Sequence, residues 1–173
     1  AEDGVLLARA TGQASPTQAL VRLREPITPA LAAEHEGVEL DAMSLLSATR
    51  DALTDDCEIA IVEGAGGLRA PLAWDLDTLQ MAQALEARVV LVGSNALGTL
   101  NHTRLSLEVL AAHDIDVAAV VLSDPAEPDA STLTNGGVLE RMCVDMPAVT
   151  VLPRLDSPEM GDVLFDLLVE ELA

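Results

Sequence analysis

The chain contains no lysine: its nine basic residues are all arginine, set against 29 acidic residues, for a formal charge of -20 over 173 residues. Such a surface repels DNA, RNA and anionic membranes, so none of the three is expected as a partner. The acidic excess is read first as a solvated, soluble surface, with a salt-rich habitat or a genome poor in lysine codons as alternatives. Aromatics make up only 1%, and Trp74 and Phe165 are the whole set. A core must therefore be built from Ala, Val, Leu and Ile, which suits helices packed on a parallel sheet. No run of about 18 apolar residues is available to cross a bilayer, and no signal peptide is recognisable. The two cysteines, Cys57 and Cys143, lack metal-ligand spacing. They are expected as buried thiols of a cytoplasmic protein, without a disulfide.

Four apolar, β-branched runs read as strands: Glu58–Val62, Arg88–Gly93, Val117–Leu122 and Ala148–Leu152. Helical patterns cover Ala42–Leu53, Leu76–Ala87, Leu100–His113, Leu133–Val144 and Met160–Leu172. This alternation implies right-handed crossovers and a doubly wound, mostly parallel α/β sheet with helices on both faces. Prolines mark loops at Arg24–Pro29 and Ser123–Ser131. No composition shift marks a boundary, so one domain over 1–173 is expected. A doubly wound fold normally opens with the strand that becomes central to its sheet. Here Ala1-Glu2-Asp3-Gly4 runs into an apolar helical pattern at Val5–Ala10, with no opening strand and no glycine-rich phosphate loop. The chain is read as entering its fold partway through.

The strongest site signal is Val62-Glu63-Gly64-Ala65-Gly66-Gly67 at the carboxyl end of the first expected strand. Ligands of open α/β sheets bind at that edge. Glycines there let backbone amides approach a ligand, and the carboxylate could hold Mg2+ against phosphate oxygens. The alternative is a strand-ending turn with a solvated glutamate. Asp3, a lone acid before a helix, reads first as a cap. Asn101 could cap the helix that opens after Gly98 or read a ligand carboxylate, the cap being preferred; His102 could pack on a neighbouring subunit. His113 lies near a helix C-terminus and reads as a dipole partner. His35, His102 and His113 share no metal spacing, no Ser-His-Asp order is present, and Ser44, Ser47 and Thr49 offer no nucleophile. The Leu152-Pro153-Arg154-Leu155 string closes the last expected strand as a turn or as the border of a nucleotide base.

Taken together and in order, these pieces resemble the dethiobiotin synthetases. The likeness runs from the acidic start at Asp3 through Pro26, Pro29, Ala32-Ala33 and Glu36-Gly37. It continues through Glu63-Gly64-Ala65-Gly66-Gly67 and Pro71-Leu72 to Leu97-Gly98-Thr99-Leu100-Asn101-His102-Thr103. The Gly-Thr-Leu-Asn-His-Thr string is the specific part; the glycine-rich string is shared more widely among P-loop NTPase-like relatives. The resemblance implies an ATP- and Mg2+-dependent ring closure of 7,8-diaminononanoate with CO2, through a carbamate and a carbamic–phosphoric anhydride. It implies that Asp3 and Glu63 hold the metal, Glu63 as the catalytic carboxylate. Gly64, Ala65 and Gly66 would line the diamine. Gly98, Thr99, Leu100 and Asn101 would reach across a homodimer interface to the substrate carboxylate. Glu63, Gly64, Gly66, Ser123, Pro153, Arg154 and Leu155 would touch the nucleotide.

The sequence departs from the family where phosphate is gripped, since the glycine–lysine loop is absent and no lysine can substitute. Ser123 stands where the family's adenine-reading asparagine is expected. Three explanations follow: an amino-terminal segment cleaved or left out, a phosphate loop on a separate polypeptide, or a non-catalytic binding or regulatory relative. The first is preferred because Asp3 and Glu63 both survive. Another amide-forming ATPase of the same superfamily is the remaining enzyme alternative.

Overall fold

The computed structural model describes residues 3–53, 59–143, 147 and 149–154, and the chain divides into two compact units, 1–85 and 86–173. In the first unit, α1 (Asp3–Thr11) is followed by α2 (Pro29–Glu36) and α3 (Ala42–Ala52). Proline at the first position of α2 suits a turn whose N–H would be unbonded anyway. Gly37 ends α2 at φ +65°, and its N–H reaches back to the Ala33 and Glu34 carbonyls. Helix α3 begins with a reciprocal cap: the Ser44 N–H donates to Asp41 Oδ1 at 2.8 Å, and the Asp41 N–H donates to Ser44 Oγ at 3.4 Å.

A short antiparallel hairpin follows, β1 (Pro71–Ala73) and β2 (Leu76–Asp77), and runs straight into α4 (Thr78–Ala84). The same capping logic starts α4, with the Gln80 N–H on Asp77 Oδ1 at 2.8 Å and the Asp77 N–H on Gln80 Oε1 at 2.9 Å. Leu72, Ala73, Leu76 and Met81 form the core of this unit, with Leu40, Ala42, Leu45, Leu46 and Leu85 packed against them. Each such aliphatic side chain contributes roughly 1.5–3 kcal/mol when fully buried.

The second unit is a three-stranded parallel sheet in the order β3-β4-β5, with β3 at Val89–Ser94, β4 at Val117–Ser123 and β5 at Val149–Leu152. The intervening helices are α5 (Thr99–Ala112) and α6 (Asn135–Met142). Ala119, Val120, Val121 and Leu122 are all buried, as a central parallel strand requires. Helix α5 buries Thr99, Thr103, Leu107 and Leu110, one stripe at helical spacing. His113 closes that helix with Nδ1 2.8 Å from the Val109 carbonyl, the C-terminal role expected of it. Ser94 pairs with Ser123 and Ser123 with Leu152, so the three strands end level.

Several expectations are corrected. Residues Ile59–Val62 form no strand: Ile59 and Ile61 are 73% and 74% exposed. A β-branched run becomes a strand only where a neighbouring edge offers N–H and C=O partners, and no described segment pairs with this one. Helix Leu76–Ala87 shortens to α4 because Leu76 and Asp77 belong to the hairpin and Asp77 is the cap. Helix Leu133–Val144 begins only at Asn135, after the Ser131–Thr134 turn. Cys143, a free thiol, follows α6 half-buried rather than buried. Cys57, Glu58, Val144, Ala148, Leu155 and the expected helix Met160–Leu172 lie outside the described residues. Among the described residues no helix is long and apolar enough to cross a membrane.

Candidate active site

In the first unit the glycine-rich segment is pinned to the start of α4. The Leu79 N–H donates to the Leu68 carbonyl at 3.1 Å, and the Ala70 N–H to that of Gly67 at 2.9 Å. Arg69 Nη1 lies 2.8 Å from Asp77 Oδ2, whose other oxygen caps α4. Gly64 packs so closely on Thr78 that a Cβ there would meet its γ atoms at 2.7 and 2.8 Å. Gly66 adopts φ +84°, a conformation that glycine alone takes freely. Glu63, at the head of this loop, is exposed, and no described group pairs with its carboxylate. Ala65 is exposed beside it. Asp3 is the first residue of α1 in the same unit.

Among the described residues no group of three or more His, Cys, Asp or Glu could form a closed metal cage. An exposed carboxylate with both oxygens uncommitted fits a different ion. Mg2+ is commonly held by one or two carboxylates, with ligand phosphates and water completing the octahedron. The donor set at Glu63 therefore suits a cation shared with a phosphate ligand.

In the second unit the level strand ends gather the other expected residues. Gly98, at φ +100°, is the N-cap of α5 and contributes no side-chain cap. Asn101 is the third residue of that helix and is exposed, so the preferred capping role is corrected: Gly98 holds that position. Thr99 is buried, with Oγ1 3.5 Å from Thr103 Oγ1, and Leu100 is half-buried. Ser123 is exposed at the end of β4, and Pro153 and Arg154 are exposed after β5. One sheet edge thus carries the Gly98–Asn101 strip, Ser123, Pro153 and Arg154.

Sequence reasoning missed the buried network behind this edge. Asn95, fully buried just past β3, bonds Asp124, Thr132 and Asn135 through its side chain. Nearby, Asp129 accepts from the Ser131 hydroxyl and from the Leu97 and Ser131 N–H groups, which pull its carboxyl down to about 2. A polar residue directly after an apolar strand, facing a Thr-x-x-Asn string at a helix start, was the available signal.

A family model described as an AAA domain matches residues 2–159. Curated relatives that match the chain share one name. An ATP-dependent dethiobiotin synthetase of Mycobacteroides abscessus is 38% identical over 155 residues, covering 88% of this chain and 68% of that protein. Proteins of the same name from Phenylobacterium zucineum and Aquifex aeolicus are 35% and 31% identical, over 78% and 92% of this chain and 58% and 71% of theirs. The chain belongs to the dethiobiotin synthetase family. It spans 58% to 71% of the length of these three relatives. Its fold class is accordingly the α/β, P-loop NTPase-like one, with the parallel β3-β4-β5 sheet as the second unit's part of it. Both segments described above fall inside the family match, the Glu63 loop in one unit and the Gly98–Asn101 strip in the other.

Proposed function

We propose that the protein is an ATP- and Mg2+-dependent dethiobiotin synthetase that joins CO2 to 7,8-diaminononanoate and closes the ureido ring. The observation that carries this reading is Glu63: an exposed carboxylate without a described partner, at the head of a loop whose glycines have steric and backbone reasons to be there. Glu63 and Asp3 hold Mg2+. The ion supplies charge neutralisation on the phosphoryl oxygens during transfer.

The chain's own groups act mainly by positioning, which can lower a barrier by several kcal/mol. The backbone at Gly64, Ala65 and Gly66 lies beside the diamine. The strip Gly98, Thr99, Leu100 and Asn101 binds the substrate carboxylate across the interface of a homodimer, with Thr99 contributing through its backbone because its side chain is buried. Glu63, Gly64, Gly66, Ser123, Pro153, Arg154 and Leu155 border the nucleotide. One amine captures CO2 as a carbamate, ATP phosphorylates it, and attack by the second amine expels phosphate as the ring closes. The protein acts in the cytoplasm, and its -20 charge makes nucleic acid and anionic membrane poor partners.

The test uses the protein as its natural gene encodes it. Dethiobiotin formation should require ATP, Mg2+ and the diamine. Glu63→Gln should lower kcat at least about a hundredfold, the equivalent of roughly 3 kcal/mol, with an unchanged melting temperature. Normal turnover in that variant refutes the metal role. Ligand binding without phosphate release would mark a regulatory relative instead. Stimulation of ATP hydrolysis only by some other amine would mark a different amide-forming ATPase.

A further inference from the structure

Asn95 holds the strand-end edge of the second unit together. Its Nδ2 donates to Asp124 Oδ1 at 2.7 Å and to the Thr132 carbonyl at 3.0 Å, while its Oδ1 accepts from Asn135 Nδ2 at 3.0 Å. A carboxylate and a carbonyl only accept, so the partners fix which way the amide faces. Its backbone N–H donates to the Ser123 carbonyl at 2.8 Å, and its carbonyl accepts from Thr132 Oγ1 at 2.9 Å. One buried residue thereby ties the ends of β3 and β4 to the 129–135 loop. That loop in turn grips the lead-in to α5, because Asp129 Oδ2 accepts the Leu97 N–H at 2.7 Å.

We propose that Asn95 is a positioning residue that fixes the Gly98–Asn101 strip relative to Ser123, and with it the spacing between the substrate carboxylate and the nucleotide base. This rests on the roles proposed above for those two segments. Filling the same volume with apolar side chains would avoid desolvating polar groups. What hydrogen bonds of fixed direction add is a unique register between the segments they join. Both joined segments end in exposed residues, Ser123 on one side and Asn101 on the other. A functional site held by locked, bonded neighbours needs this kind of support, since a displacement of about 1 Å can cost a hundredfold in rate.

The test compares wild type, Asn95→Ala and Asp129→Ala in the protein encoded by the natural gene, with Leu110→Ala as a core control outside the network. ATP and diamine affinities are measured by calorimetry and KM values from turnover. Asn95→Ala should weaken both ligands about tenfold or more, with a smaller change in kcat. Leu110→Ala should lower the melting temperature and leave both affinities alone. Asp129 is exposed, so Asp129→Ala folds even if Asn95→Ala does not; releasing Leu97 should weaken the diamine and spare ATP. Folded Asn95→Ala with both affinities unchanged overturns the proposal, as does unchanged diamine affinity in Asp129→Ala. Wild type that binds neither ligand overturns the proposed function and this inference with it. Wild type that binds both, with Asn95→Ala binding as tightly, overturns the inference alone.

Discussion

Gly64→Ala should strain the glycine-rich segment by an amount set almost entirely by Thr78. The added Cβ would lie 2.7 Å from Thr78 Cγ2 and 2.8 Å from Oγ1, about 0.8 Å inside ordinary carbon–carbon contact. Rotating Thr78 about χ1 offers little relief, because both γ atoms already face the glycine. Nor can Thr78 easily retreat, since Asp77 caps its helix and the next N–H is bonded to Leu68. Overpacking of this kind costs about 1–3 kcal/mol. For a chain of this size that corresponds to a fall in Tm of roughly 2–4 °C per kcal/mol. Thr78→Ala supplies the control. Its Oγ1 is buried without a hydrogen-bond partner among the described residues, so deleting it relieves an unmet polar group while losing one methyl, two effects of about 1 kcal/mol each and opposite sign. Thermal unfolding of wild type, both single variants and the double variant closes the cycle. Thr78→Ala alone should be close to neutral, and Gly64→Ala should lose most of its penalty in the Thr78→Ala background. An equal loss in both backgrounds, or none in either, refutes the steric account.

Two further outcomes follow from individual side chains. Asp129, held near 2 against an ordinary 3.8, contributes stability that is complete above its unfolded value and lost as pH falls towards 2. Denaturant midpoints at pH 5 and pH 2.5 should therefore show a gap between wild type and Asp129→Asn that narrows on acidification; a constant gap refutes the hydrogen-bond origin. Asn101→Ala should raise the diamine KM about tenfold with Tm unchanged, because Asn101 lies inside α5 while Gly98 occupies the cap. A lowered Tm with unchanged KM would return Asn101 to a structural role.

The parts of the fold legible in the sequence were those whose burial is periodic. Helix α5 shows its stripe at Thr99, Thr103, Leu107 and Leu110, and β4 its unbroken apolar run, so both were placed within a residue or so. Residues Ile59–Val62 carry the same β-branched composition, yet pairing is a property of neighbours, and no described neighbour supplies it. Helix α2 was missed because Ala30, Ala32 and Ala33 bury small side chains without a 3.6-residue stripe, and what starts and stops it is Pro29 and Gly37. The hairpin escaped because strands of three and two residues are too short to show alternation. At the site, residue type misled at Asn101: asparagine caps well, but glycine in a left-handed conformation had already taken the position. Asn95 left only a weak local signal, a polar residue directly after an apolar strand, since its importance lies in three residues 29 to 40 positions away.

Within the two motifs, the division between what folding explains and what it leaves over is itself an argument about function. Gly64 is required by Thr78, Gly66 by φ +84°, and Gly98 by φ +100° and its place at the head of α5; each would be selected in a protein that bound nothing. Glu63 and Asn101 have no such reason. Both are exposed, and neither side chain has a hydrogen-bond partner among the described residues. A solvated glutamate or asparagine on a surface contributes within about half a kcal/mol of alanine. The motif glycines and the motif polar residues should therefore separate cleanly under mutation, the first moving stability and the second moving turnover or KM. If Glu63 and Asn101 variants instead shifted Tm while sparing catalysis, the two strings would be folding signals, and the chemistry would have to be sought on other residues.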